Sequence, residues 1–133
     1  MSDSPEPVSI CLCERVLQDV FRKDAVTLVN VHNGVSSQAF PTLIPVIYAF
    51  SQLTGHNKPF SYQFKISDPK KVVISASSIG QVDPVTSPNA LHKIVSAFSG
   101  LVFPKEGLYM VSLEIDGKVV ATIPFQVELI VAT

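Results

Sequence analysis

From Gly107 to the end of the chain, apolar and polar positions alternate with a period of two. Tyr109, Val111, Leu113 and Ile115 interleave with Met110, Ser112 and Glu114. After Asp116-Gly117 the alternation resumes: Val119, Ala121, Ile123, Phe125, Val127 and Leu129 fall on one face. Lys118, Val120, Thr122, Pro124, Gln126 and Glu128 fall on the other. This is the pattern of a half-buried antiparallel hairpin. A bare two-residue loop at Asp116-Gly117 would set Val119 opposite Glu114 and mix the two faces. A three-residue loop closing with Gly117 in the left-handed region, as a G1 bulge, restores odd-to-odd pairing and is the expected turn.

The upstream chain reads the same way. Strands are expected at Val8 to Leu17, Ala25 to Val31, Val35 to Phe40, Val46 to Leu53, Phe60 to Ser67, Lys71 to Ile79 and Leu91 to Phe103. Between them stand turn signals such as His32-Asn33-Gly34, Thr54 to Pro59, Asp68-Pro69 and the proline-containing stretch Gln81 to Leu91. Thr42 to Pro45 reads as an extended connection. Apolar positions at helical spacing are nowhere sustained, and Asn89 to Ala97 is the best helical candidate. Eight or nine strands at this spacing predict an all-β fold. An antiparallel two-sheet sandwich of immunoglobulin-like type comes first and a closed barrel second. Residues 1–7 are expected to form a disordered tail and residues 8–133 a single domain.

Composition changes this picture in one respect. Of 133 residues, 47% are hydrophobic and only 16% charged, with a mean hydropathy of +0.35, against roughly 25% charged in an ordinary soluble domain. No run approaches the roughly 18 apolar residues of a membrane-crossing helix, so no membrane insertion is expected. The acidic start MSDSPEP is unlike a signal peptide. A cytoplasmic protein with more apolar surface than one copy hides is the simplest reading, and it favours a homodimer or a protein partner. A net charge of −1 with a pI near 6.3 gives no footprint for nucleic acid. Cys11 and Cys13 sit two apart on one strand face, about 6.5–7 Å from each other in an extended chain. That is awkward for a disulfide, and reduced core thiols are expected.

Three stretches carry a resemblance: ICLCERV with VTLVNVHNG, the spacing P-x-x-x-P-x-x-Y-x-F, and GLVFP-x-x-G-x-Y followed by IDGKVVA-x-x-PF-x-V. Over nearly its whole length the chain resembles a family of small bacterial all-β proteins that is a domain of unknown function. Its C-terminal hairpin is similar to those of immunoglobulin-like bacterial domains. The resemblance implies a sandwich and brings no activity or site residues with it.

Candidate chemistry is sparse. Cys11-x-Cys13 lacks the second cluster that a zinc site needs, and His32, His56 and His92 stand apart from one another. No nucleophile elbow, phosphate loop or HExxH occurs, so no catalytic, metal or cofactor residues are expected and the protein is read as no enzyme. Glu14, beside Arg15 in an apolar strand, reads as a rim position or cross-strand ion pair. A histidine within hydrogen-bonding distance of it in an open cleft would instead favour catalysis. An up-and-down strand order would gather the loops near residues 32, 56, 81–91 and 116 at one tip. His32, Asn33, His56, Asn57, Lys58 and Asn89 would then form a loop-tip binding surface. Arg22, Lys23, Lys70, Lys71 and Lys105 would gather at the other end, neutralised by neighbouring Asp19, Asp24, Asp68 and Glu106. The C-terminal strand would offer an exposed edge interface at Gln126, Glu128 and Ile130.

The function expected from these features is a non-catalytic binding or assembly module that acts through protein–protein contacts and self-associates. The alternative is a small-ligand binder that holds an apolar or sugar-like molecule between the sheets or at the loop tip, lined by Tyr48, Tyr62, Tyr109 and phenylalanines.

Overall fold

A computed structural model of the protein describes residues 5–22, 25–54, 58–83 and 91–131. They form an all-β fold of ten strands, with no helix among the described residues. The strands are β1 (Pro7–Gln18), β2 (Val26–His32), β3 (Gly34–Ser37), β4 (Thr42–Thr54) and β5 (Phe60–Ser67). They continue with β6 (Val73–Ala76), β7 (Gly80–Val82), β8 (Leu91–Phe103), β9 (Gly107–Ile115) and β10 (Lys118–Leu129). The first sheet has the order β2-β1-β4-β8. The second runs β3-β10-β9-β5-β6, with β7 also paired to β5.

Alternation builds one core from both sheets. Leu12, Ile47, Ala49, Leu53, Ile94 and Leu101 point in from the first, and Phe64, Ile66, Val111, Leu113 and Val127 from the second. Aromatic rings lock the sheets together. Phe103 of β8 meets Tyr109 edge-on at 4.8 Å and stacks on Phe125 at 5.7 Å. Phe60 meets His92 edge-on at 5.0 Å. Such pairs contribute about 0.5–1.5 kcal/mol each beyond the area they bury.

Several expectations need correction. The hairpin turn is a two-residue loop with Asp116 at φ 50° and Gly117 at φ 80°, the conformation of a type I′ turn, whose twist matches that of the strands. Lys118 therefore pairs with Ile115 and Val119 with Glu114. The extra residue enters the strand instead, where a register shift between Val119 and Ala121 brings Ala121 opposite Leu113, Ile123 opposite Val111 and Phe125 opposite Tyr109. Odd-to-odd pairing is thus restored by a bulge beyond the turn, and Val119 is left half exposed at 55%. Asp116 tolerates its left-handed backbone because Oδ1 accepts the Ser61 N–H (2.9 Å) and hydroxyl (3.2 Å).

Residues 5–7, expected in a tail, are held instead. Pro5 is buried and Pro7 opens β1. The Glu6 N–H donates to Thr54 Oγ1 (2.8 Å), and the Thr54 N–H donates to the Glu6 carbonyl (2.8 Å). The stretch read as one strand from Lys71 to Ile79 divides into β6 and β7, both laid on β5. The break follows from Ser77, whose buried hydroxyl accepts the Phe64 N–H (3.0 Å) and replaces a ladder bond. Thr42 to Pro45 belongs to β4, and β8 runs unbroken through Gly100. Leu91 to Ala97, the described part of the helical candidate, is strand paired along β4.

Candidate functional site

The first sheet has an unusual outward face. Leu12 and Ala49 point into the core, so by alternation their neighbours Cys13 and Phe50 point away from it. Yet Cys13 is 0% and Phe50 2% exposed. Register sets Cys13 beside Tyr48 and Val31, and Phe50 beside Cys11 and Val95. The face is therefore apolar where the outer face of a two-layer fold is ordinarily polar. Burial raises the pKa of both thiols, which keeps them protonated and weakly nucleophilic. Both cysteines are free.

Next to this buried patch lies a groove of about 400 Å³, lined by Glu14, Arg15, Val16, Leu17, Val46, Tyr48 and Val95. Arg15 makes no ion pair within 4 Å among the described residues, although its charge helps to lower the pKa of Glu14. Its neighbour Glu14 is engaged by the adjacent strand. Glu14 Oε2 accepts the Asn30 side-chain amide at 2.9 Å, and Oε1 lies 3.4 Å from His32 Nε2. The Asn30 hydrogen bond is the largest effect and holds the Glu14 carboxyl below its ordinary pKa; desolvation opposes it, and His32 and then Arg15 add smaller lowering effects. Asn30 sits at φ 51°, where asparagine is among the few residues that rest without large strain. Glu14 thus makes the expected cross-strand contact, and makes it with a histidine beside an open groove, which is also the arrangement expected of a catalytic pair. That geometry ties β1 to β2, with both carboxylate oxygens in use.

Beyond Leu17 the described part of the β1–β2 connection, residues 19–22, turns around the side chain of Asp19. Asp19 Oδ1 accepts the N–H groups of Phe21 and Arg22 at 2.8 Å each. Asp19 Oδ2 receives the Arg22 guanidinium at 3.0 and 3.3 Å. The Arg22 backbone, then its side chain, then the Phe21 N–H hold the Asp19 carboxyl below its ordinary pKa. This closed turn displays Val20 at 86% and Phe21 at 96% exposure. By sequence alone, Gln18 to Asp24 reads as a charged turn. The contradiction of a phenylalanine inside it was the available signal.

The expected surfaces are rearranged. His56, Asn57 and Asn89 lie outside the described residues, as do Lys23 and Asp24. Lys58 is exposed, near the start of β5 and hence near the Asp116 turn, which bonds to Ser61. His32 and Asn33 are not at that turn. The chain crosses from the first sheet to the second at Asn33, whose carbonyl accepts the Gln126 N–H at 3.2 Å, far along β10 from its start at Lys118. Asn33 instead shares a recess of about 310 Å³ with Gln126 and Glu128. The expected open edge at Gln126, Glu128 and Ile130 is covered. β3 runs parallel to β10, with Gln126 opposite Gly34 and Glu128 opposite Ser36, and the Ile130 N–H donates to Ser37 (2.9 Å). On that side only residues 118–125 of β10 lack a neighbouring strand among the described residues, and Pro124 interrupts them. At the other cluster, Pro69 packs against Gly107, which brings Lys70 and Lys71 near Lys105. Asp68 is spent on its own turn, accepting the N–H groups of Lys70 and Val72 at 2.9 Å each.

Among the described residues no group of three or more His, Cys, Asp or Glu side chains could hold a metal ion. Among the described residues no helix is long and apolar enough to cross a membrane. The family whose model matches the chain, over residues 8–128, is described as "Family of unknown function (DUF6941)". No curated protein matches the chain. A similar solved structure is the Pseudomonas fluorescens alkylpurine DNA glycosylase AlkC bound to DNA containing an abasic site analog. It is 8% identical with a TM-score of 0.47, over 90% of this chain and 30% of that one.

Proposed function

The chain belongs to the family of unknown function DUF6941, and we propose that it is a non-catalytic binding or assembly module that acts through protein–protein contacts and pairs with a second copy of itself. The observation that carries this reading is the β1–β2 tip. A phenylalanine 96% exposed on a turn held by four hydrogen bonds to Asp19 is a preorganised apolar anchor. Rigid aromatic anchors of this kind dominate binding energy at interfaces, because little conformational freedom is lost on docking.

The same reading takes the fold as an immunoglobulin-like sandwich. In support, the hydroxyl of Tyr109, near the start of β9, donates to the Lys105 carbonyl at 2.6 Å, like the tyrosine corner of that architecture. A bacterial, cytoplasmic protein fits the two free thiols. The small-ligand alternative finds Tyr109 packed against Phe103 in the core, and Tyr48 at the outer groove. Light scattering coupled to size-exclusion chromatography, at several concentrations of the full chain, tests the proposal. A dimer is expected, and a monodisperse monomer throughout would overturn it.

A further inference from the structure

We infer that the groove between β1 and β4 takes an extended peptide segment of another protein, docked as an added strand, with an acidic residue adjoining two aliphatic ones. This goes beyond the self-association proposed above, which rests on the β1–β2 tip.

The first sheet parts at this place. β1 and β4 are paired as far as Cys13 and Tyr48, yet β1 runs on to Gln18 and β4 begins at Thr42. Continuing the register would set Arg15 opposite Val46 and Val16 opposite Pro45, and a proline has no N–H to give to a ladder. Each strand meanwhile keeps its other neighbour. Residues 15–18 stay paired with β2, and residues 42–47 lie along β8. Two stretches of strand backbone thus lack a strand partner on the side of the parting, among the described residues. The groove of about 400 Å³ is lined from both. Unpaired backbone of this kind is a template for an incoming strand, which binds through main-chain bonds and is selected through alternate side chains. A lone side-chain anchor or a small apolar molecule would leave that backbone unanswered.

The lining states what the strand carries. Cys13 and Tyr48 point away from the core, so by alternation Arg15, Leu17 and Val46 do too. Both carboxylate oxygens of Glu14 are taken by Asn30 and His32, whereas Arg15 makes no ion pair within 4 Å among the described residues. Arg15 is therefore the charge placed to receive a carboxylate. Leu17 and Val46 are exposed apolar side chains beside it, and Val16, on the opposite face, is half-buried. An acidic residue at the level of Arg15, with aliphatic residues at the levels of Val16 and Leu17, answers all three positions.

Affinity selection by the full chain from a randomised library of end-blocked synthetic hexapeptides, read by mass spectrometry, tests this. Enrichment of aspartate or glutamate adjoining two of valine, isoleucine or leucine is expected. The best such peptide should bind the Arg15→Gln chain about tenfold more weakly. It should lose binding when its backbone amides are N-methylated, which removes the donors and keeps the side chains. Amide signals of residues 14–17 and 46–48 should shift on binding. No enrichment, enrichment of basic or wholly polar peptides, indifference to N-methylation, or shifts centred elsewhere would overturn the inference. Octanoate binding the groove as tightly as the peptide would also overturn it, and would assign the groove to a small carboxylate.

Discussion

Gly34 lies so close to the carbonyl oxygen of Gln126 that a β-carbon built on the glycine would overlap it. The two residues face each other where β3 joins β10 in parallel, directly after the chain crosses between sheets. The obstacle is backbone, not a movable side chain, so Gly34→Ala should displace β3. A loss of about 1–3 kcal/mol is expected, as for other overpacked sites. Urea denaturation would give the loss, and amide exchange should quicken at Ile130, whose N–H is bonded to Ser37. Unchanged stability and exchange would mean that β3 does not lie on β10.

Gly117 separates sterics from backbone strain. Nothing lies within 4 Å of a β-carbon placed there, yet its φ is 80°. Gly117→Val should therefore destabilise by about 1–2 kcal/mol through conformation alone. Thermal unfolding measures this. A mutant as stable as the wild type would contradict the type I′ geometry.

The Glu14 contact predicts a pH dependence. Its folded pKa is depressed, by the Asn30 hydrogen bond first and His32 second. The contribution is thus present above the unfolded value of about 4.3 and is lost as pH falls through the lower folded value. Asp19 acts in the same direction at the tip. Glu14→Gln should flatten the acid limb of the curve of thermal midpoint against pH. A limb of undiminished slope in that mutant would sink the assignment.

Tyr109→Phe keeps the ring contacts with Phe103 and removes the hydroxyl that donates to Lys105. The expected cost is about 0.5–1.5 kcal/mol, the net worth of one hydrogen bond. Chemical denaturation would show it as a lower midpoint with unchanged slope. No change in midpoint would remove the corner as a stabilising feature.

What could be read from the chain alone was local. Phe60–Ser67 and Leu91–Phe103 are strands with the bounds that alternation and turn residues indicate. The core faces of β9 and β10 follow from the same period, because successive side chains in an extended chain point to opposite sides. Asp116-Gly117 was recognisable as a turn, but the place of the compensating bulge was not. A residue inserted in the loop and one inserted at Val119–Val120 give the same pairing from Leu113 onward.

Tertiary structure decided the rest. Backbone hydrogen bonds that join strands are nearly indifferent to side-chain identity, so alternation marks faces without naming neighbours. For that reason the parallel docking of β3 on β10, which covers Gln126, Glu128 and Ile130, is absent from the sequence pattern. The same holds for the candidate site. Phe50 and Cys13 become buried on an outward face only when β1, β2, β4 and β8 lie side by side, and Phe21 becomes an exposed anchor only when Asp19 closes the turn beneath it.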